Sequence, residues 1–163
     1  MCKKIETSLE VLFDIIEEKL SLGGEVSFSP GGISMLPLIR PKCDKVTLKR
    51  HTENLKKNDI AFYKRKNGQF VLHRVAKKPN GECYVMCGDN QWLLEKGVES
   101  NQIIAVVSKI ERDGKVVDFC KTAYRLYCTF LPFRRVWLKY NQKGILPRGI
   151  RKIKRILNKH PKR

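Results

Sequence analysis

Ile60-Ala61-Phe62-Tyr63-Lys64 and Gln69-Phe70-Val71-Leu72-His73-Arg74-Val75-Ala76 stand on either side of Asn67-Gly68. Both runs are rich in β-branched and aromatic residues, and Asn-Gly suits the left-handed backbone of a tight turn, so the segment reads as an antiparallel hairpin. The same signature extends outward. Short β-type runs occur at 25–28, 45–48, 83–87, 103–110 and 115–119, and Asp113-Gly114 separates the last two. Ahead of them Leu9, Leu12, Phe13, Ile16 and Leu20 recur at helical spacing, Thr7-Ser8-Leu9-Glu10 fits a capping box, and Gly23-Gly24 supplies a stop. The expected fold is mainly β: an antiparallel domain over 25–120, preceded by an amphipathic helix within 1–24 and followed by a basic, aromatic-rich tail over 121–163.

The tail stands apart by its charge. The chain of 163 residues carries a net charge of +18, and fourteen of its 34 Lys and Arg follow Asp118 with no Asp or Glu among them. The body is thus nearly balanced and the tail strongly basic. Within the tail, Pro132 and Pro147 with Gly144 and Gly149 predict a chain broken into short pieces. Ile150, Ile153, Ile156 and Leu157 line one side of a helix there, and Tyr124, Tyr127, Phe130, Phe133, Trp137 and Tyr140 make the preceding piece aromatic. No apolar run approaches the roughly 18 residues that cross a bilayer. Asp14, Glu17 and Glu18 interrupt what would be the apolar region of a secretory signal. The six cysteines form no C-x-x-C pair and no zinc-finger spacing, which points to reduced thiols in the cytoplasm and to no metal or other cofactor.

Three short motifs carry possible chemistry. Ser34 follows Pro30-Gly31-Gly32-Ile33, a loop whose amides would suit an oxyanion, although a serine in a Gly/Pro turn is ordinarily only a turn residue. In the run around His73, alternation puts Val71, His73 and Val75 on one face and Leu72 and Arg74 on the other. If the valines face the core, so does His73, and a core-facing histidine is ordinarily a packing residue. Gly88-Asp89-Asn90 alone reads as a turn.

Taken together, Ser34-Met35-Leu36-Pro37, Leu72-His73-Arg74-Val75 and Gly88-Asp89-Asn90 resemble, in order and spacing, the S24/S26 serine peptidases, which include type I signal peptidases and LexA-like self-cleaving repressors. The resemblance spans roughly 25–110. It implies a signal-peptidase/LexA-like antiparallel β fold in which Ser34 is the nucleophile of the S-M-x-P motif. His73 stands where many members place a lysine, in the H-R setting of the histidine-using branch. There Asp89 supports the base, with a structural turn role as the alternative. Gly32, Ile33 and Met35 are the implied substrate-binding positions, around an extended peptide bound by strand addition with small residues near the cut. Two departures stand out: an amphipathic helix where signal peptidases have a membrane anchor, and too few residues before Ser34 for a repressor's DNA-binding domain.

The function expected is a serine endopeptidase removing a signal- or leader-like segment through a Ser34/His73 dyad, in the cytoplasm or peripherally on the inner membrane face. The alternative is a catalytically silent fold whose basic tail binds membrane or nucleic acid. Residues 121–163 suit an anionic bilayer surface better than nucleic acid, or else pack on the β domain. An ordinary imidazole base would make activity fall between pH 8 and pH 5.

Overall fold

The computed structural model describes residues 9–51, 54–77 and 83–142. It contains α1 (Leu9–Ser21), then β1 (Val26–Phe28), β2 (Lys45–Lys49), β3 (Ile60–Lys64), β4 (Phe70–Lys77), β5 (Cys83–Cys87) and β6 (Glu95–Glu99). After a 3-10 turn at Ser100–Gln102 come β7 (Ile103–Arg112), β8 (Lys115–Val116) and α2 (Thr122–Gln142). The eight strands form one antiparallel sheet in the order β1-β2-β7-β3-β4-β5-β6, with β8 hairpinned onto β7. The mainly β architecture with flanking helices is thus present. The Thr7–Glu10 capping box and the second tail helix lie outside the described residues.

The β3–β4 hairpin is built as its turn residues dictate. Gly68, at φ 86°, supplies the left-handed residue and donates its N–H to the Arg65 carbonyl at 2.9 Å. That turn fixes the register, pairing Ala61 with His73 and Tyr63 with Val71. Period-two alternation then sends Ala61, Tyr63, Val71, His73 and Val75 to one face and Ile60, Phe62, Leu72 and Arg74 to the other. The first face packs with Tyr84, Met86, Val98 and Ile103. The second builds a separate core from Leu20, Met35, Leu38, Ile39, Val46, Leu48, Ile60, Ala105 and Ile110. Both His73 and Arg74, consecutive on β4, are therefore buried, on opposite sides of the sheet.

Two elements differ from the sequence reading. β6, Glu-Lys-Gly-Val-Glu, has one buried apolar residue, Val98, and no alternating apolar pattern; it is recruited by pairing with β5. The tail is not broken at Pro132: α2 continues through it for 21 residues. Pro132 is exposed; before it the half-buried Tyr124 and Tyr127 pack on the core that holds Leu20 and Ile110, and Cys128 and Leu131 are buried. After it Leu138 is buried, so that both halves of the helix are held. Each buried Leu is worth about 1.5–3 kcal/mol, enough to offset the roughly 3 kcal/mol an interior proline costs.

Candidate active site

Ser34 lies in the loop between β1 and β2, which is fastened at both ends. Met35, Leu38 and Ile39 are buried in the core. At the far end Asp44 is fully buried and accepts hydrogen bonds from Arg112 Nε at 3.1 Å and Arg40 Nε at 2.8 Å. Burial would push the Asp44 carboxyl up, but the Arg112 and Arg40 donors outweigh it and hold its pKa at about 2. Arg112 also donates to the carbonyls of Pro37 and Leu38, at 2.9 and 2.7 Å.

The Gly88-Asp89-Asn90 turn grips the loop at the serine itself. Asn90 N–H donates to the Ser34 carbonyl at 2.7 Å, and Asn90 Nδ2 donates to that of Ile33 at 3.3 Å. The approach is so close that a Cβ on Gly88 would stand 2.6 Å from the Ser34 oxygen, so the position requires glycine.

His73 is 3% exposed. Its Nδ1 lies 3.2 Å from the Tyr63 hydroxyl, which itself donates to Glu95 Oε2 at 2.8 Å. Because the one phenolic proton goes to Glu95, the Tyr63 oxygen is the acceptor for Nδ1–H. This arrangement selects the tautomer whose unprotonated nitrogen is Nε2. Arg65 closes the chain, donating from Nε to Glu95 Oε1 at 2.8 Å. Burial would raise the Glu95 carboxyl, but hydrogen bonds from Arg65 and Tyr63 bring it below the usual range. Burial, with Arg65 adding to it, lowers the imidazole pKa to about 4 against the weaker pull of Glu95 and Asp89. His73 is therefore neutral well below pH 6, so the pH 8-to-5 loss expected of an ordinary imidazole is displaced to lower pH.

Of the two roles that the sequence leaves open for Asp89, its contacts are those of the structural turn and not of a partner for His73. Its two oxygens accept from Arg74 Nε and Nη2, each at 2.7 Å, and Oδ2 also accepts from the Tyr127 hydroxyl at 2.9 Å. Asp89 and Arg74 are both fully buried, on the face of β4 opposite His73. Burial would lower the Arg74 pKa, but its bonds to Asp89 dominate and raise it. Arg74 Nη1 also donates to the Tyr124 hydroxyl at 2.8 Å, and Arg134 donates to the Asp89 carbonyl at 3.1 Å and to Asn90 Oδ1 at 2.8 Å. Asp89 therefore locks the turn to α2, and the group that orients His73 is Tyr63, backed by Glu95.

Ser34 and His73 line one cavity of about 560 Å³, together with Gly31, Gly32, Met35 and Gln91. Its remaining wall is chiefly apolar: Phe13 and Ile16 of α1, Val26 and Phe28 of β1, and Phe62, Phe70, Val71 and Leu72 of the hairpin. Of the implied substrate-binding positions, Gly32 and Met35 face this space, whereas Ile33 is 63% exposed and outside the cavity wall. Among the described residues no backbone carbonyl takes up the Ser34 N–H, and no hydrogen bond joins Ser34 Oγ to His73. No group of three or more His, Cys, Asp or Glu among them could hold a metal ion.

The sequence reading missed Tyr63, Arg65 and Glu95. Tyr63 was reachable in principle, because the Asn67-Gly68 turn sets the register that puts it diagonal to His73. Glu95 was not, since nothing in its strand marks it as paired. No protein-family model, no curated protein and no solved structure matches this chain.

Proposed function

We propose that this protein is a serine endopeptidase that cleaves a signal- or leader-like peptide, with Ser34 as nucleophile and His73 as general base. The observation that carries the reading is that Ser34 shares a cavity with a buried, neutral histidine whose Nδ1–H is committed to Tyr63. That commitment reserves the Nε2 lone pair for a proton. His73 takes the Ser34 proton as Oγ adds to a peptide carbonyl. It returns that proton to the departing amine, and water then hydrolyses the acyl-enzyme by the same route. The Ser34 N–H, which no backbone carbonyl among the described residues takes up, donates to the oxyanion. Hydrogen bonds of this kind commonly close only once substrate excludes water, which accommodates a Ser34 hydroxyl without a bond to His73 in the free protein.

The exposed edge of β1 offers backbone groups for an extended peptide, and its residues Val26, Ser27 and Phe28 line the same cavity as Ser34. The free thiols of Cys43, Cys83, Cys87, Cys120 and Cys128 suit work in the cytoplasm or on the inner membrane face. Among the described residues no helix is long and apolar enough to cross a membrane.

The test is labelling by a serine-directed acyl probe, with mass spectrometry to locate the adduct. The expected result is an adduct on Ser34 that Ser34→Ala abolishes and His73→Gln reduces by about 10²–10⁴-fold, the usual contribution of a general base. Labelling that survives Ser34→Ala would refute the assignment.

A further inference from the structure

The outer face of α2 is apolar, and none of the described residues covers it. Leu126, Phe130, Phe133, Val136, Trp137 and Tyr140 are between 47% and 70% exposed. At 3.6 residues per turn, Leu126, Phe130, Phe133, Trp137 and Tyr140 fall within about 80° of the helix circumference, with Val136 at its margin. Leu131 and Leu138, both buried, project to nearly the opposite side. So many large exposed side chains in one stripe exceed the scattered apolar residues of an ordinary surface.

The charges beside the stripe identify its partner. Lys121, Arg125 and Lys139 are exposed along one flank, and no Asp or Glu follows Asp118 anywhere in the chain. We propose that this face of α2 docks on an anionic lipid bilayer, with the aromatic stripe immersed among the headgroups and the flanking Lys and Arg against lipid phosphates. Trp and Tyr at the C-terminal end of the stripe fit the interfacial depth that such rings occupy. Nucleic acid complements the charge but not six exposed apolar side chains, and a second copy would bring two uniformly basic faces together. The buried side of the same helix holds the Gly88-Asp89-Asn90 turn through Tyr127 and Arg134. Docking thus sets that turn about one helix diameter, ~10 Å, from the lipid surface.

The test is flotation of the full chain with phosphatidylcholine vesicles, with and without phosphatidylserine, at near-physiological salt. A Phe130→Ser/Phe133→Ser/Trp137→Ser variant is compared with the parent after circular dichroism has shown both folded. The parent should float with the anionic vesicles and stay behind with the neutral ones, and the variant should bind the anionic vesicles at least about tenfold more weakly. The parent's fluorescence should shift to the blue on binding, and Trp137→Phe should lose that shift. Equal flotation of variant and parent would overturn the proposal, placing the attraction in the basic tail alone. So would duplex DNA binding without vesicle binding, or a parent that is dimeric where the variant is monomeric. Ser34→Ala should float like the parent, so failure of the peptidase reading and failure of this one are separable.

Discussion

Lowering the pH should destabilise the protein by a calculable amount through His73 alone. In the unfolded chain this imidazole takes its proton at about pH 6.5, and in the folded chain burial delays protonation to about pH 4. Between those values the unfolded state binds more protons, so stability falls as pH falls, at up to about 1.4 kcal/mol per pH unit. Above about pH 6.5 both states are neutral and the term vanishes. Integrated from about pH 7.5 to about pH 4.5, it amounts to roughly 2.5 kcal/mol. His73→Gln removes the titration while keeping a side-chain donor for the Tyr63 oxygen. Urea unfolding of both chains across this range isolates the effect, because every other titrating group, including His51, whose pKa burial also lowers, is common to both. The expected outcome is a stability difference that shifts by about 2.5 kcal/mol in favour of the variant as pH falls. Parallel curves, agreeing within about 0.5 kcal/mol, would refute the burial argument and with it the neutral base proposed for catalysis.

Three further outcomes follow from neighbouring residues. Probe labelling at Ser34 should stay level from about pH 8 to about pH 5 and decline only toward pH 4, where an ordinary histidine base would already have failed; a midpoint near 6.5 would contradict the assignment. Tyr63→Phe leaves His73 Nδ1 and Glu95 without their shared hydroxyl, and should cost about 1–3 kcal/mol of stability and move the acid limb of the labelling profile. An unmoved limb would show Tyr63 to be packing only. Asp89→Ala strands the fully buried Arg74 and should cost about 3–5 kcal/mol in denaturant unfolding, far more than an exposed ion pair would. A loss below about 1 kcal/mol would contradict the turn-locking role.

The hairpin was legible because its turn and its alternation agree. Asn67-Gly68 fixes the register, and the apolar residues of β4 then place Val71, His73 and Val75 together, as found. The burial of Arg74 was not legible, because alternation marks a residue's face and not what covers that face. The cover is α2, whose continuity through Pro132 depends on tertiary burial that propensity does not encode. The same limit hid Glu95. A glutamate in an unpatterned strand looks like a solvated charge until Tyr63 and Arg65 are brought to it across the sheet.

The relation between Asp89 and His73 turns on the same point. The motif resemblance implies that Asp89 backs the histidine, with a structural turn role as the alternative. Yet β4 gives His73 and its neighbour Arg74 to opposite faces, and a buried guanidinium has a stronger claim on a carboxylate than a neutral imidazole does. Once Asp89 is committed to Arg74, it fixes the turn whose Asn90 N–H holds the Ser34 carbonyl, and so constrains the backbone of the proposed nucleophile. His73 is served on the other face by Tyr63, a neutral relay that passes the influence of Glu95 without setting a full negative charge against the ring; Glu95 Oε2 stays 3.9 Å from Nδ1. A carboxylate in direct contact would raise the imidazole pKa. The interposed phenol fixes the tautomer while burial keeps the ring neutral, and the base role proposed for His73 requires both.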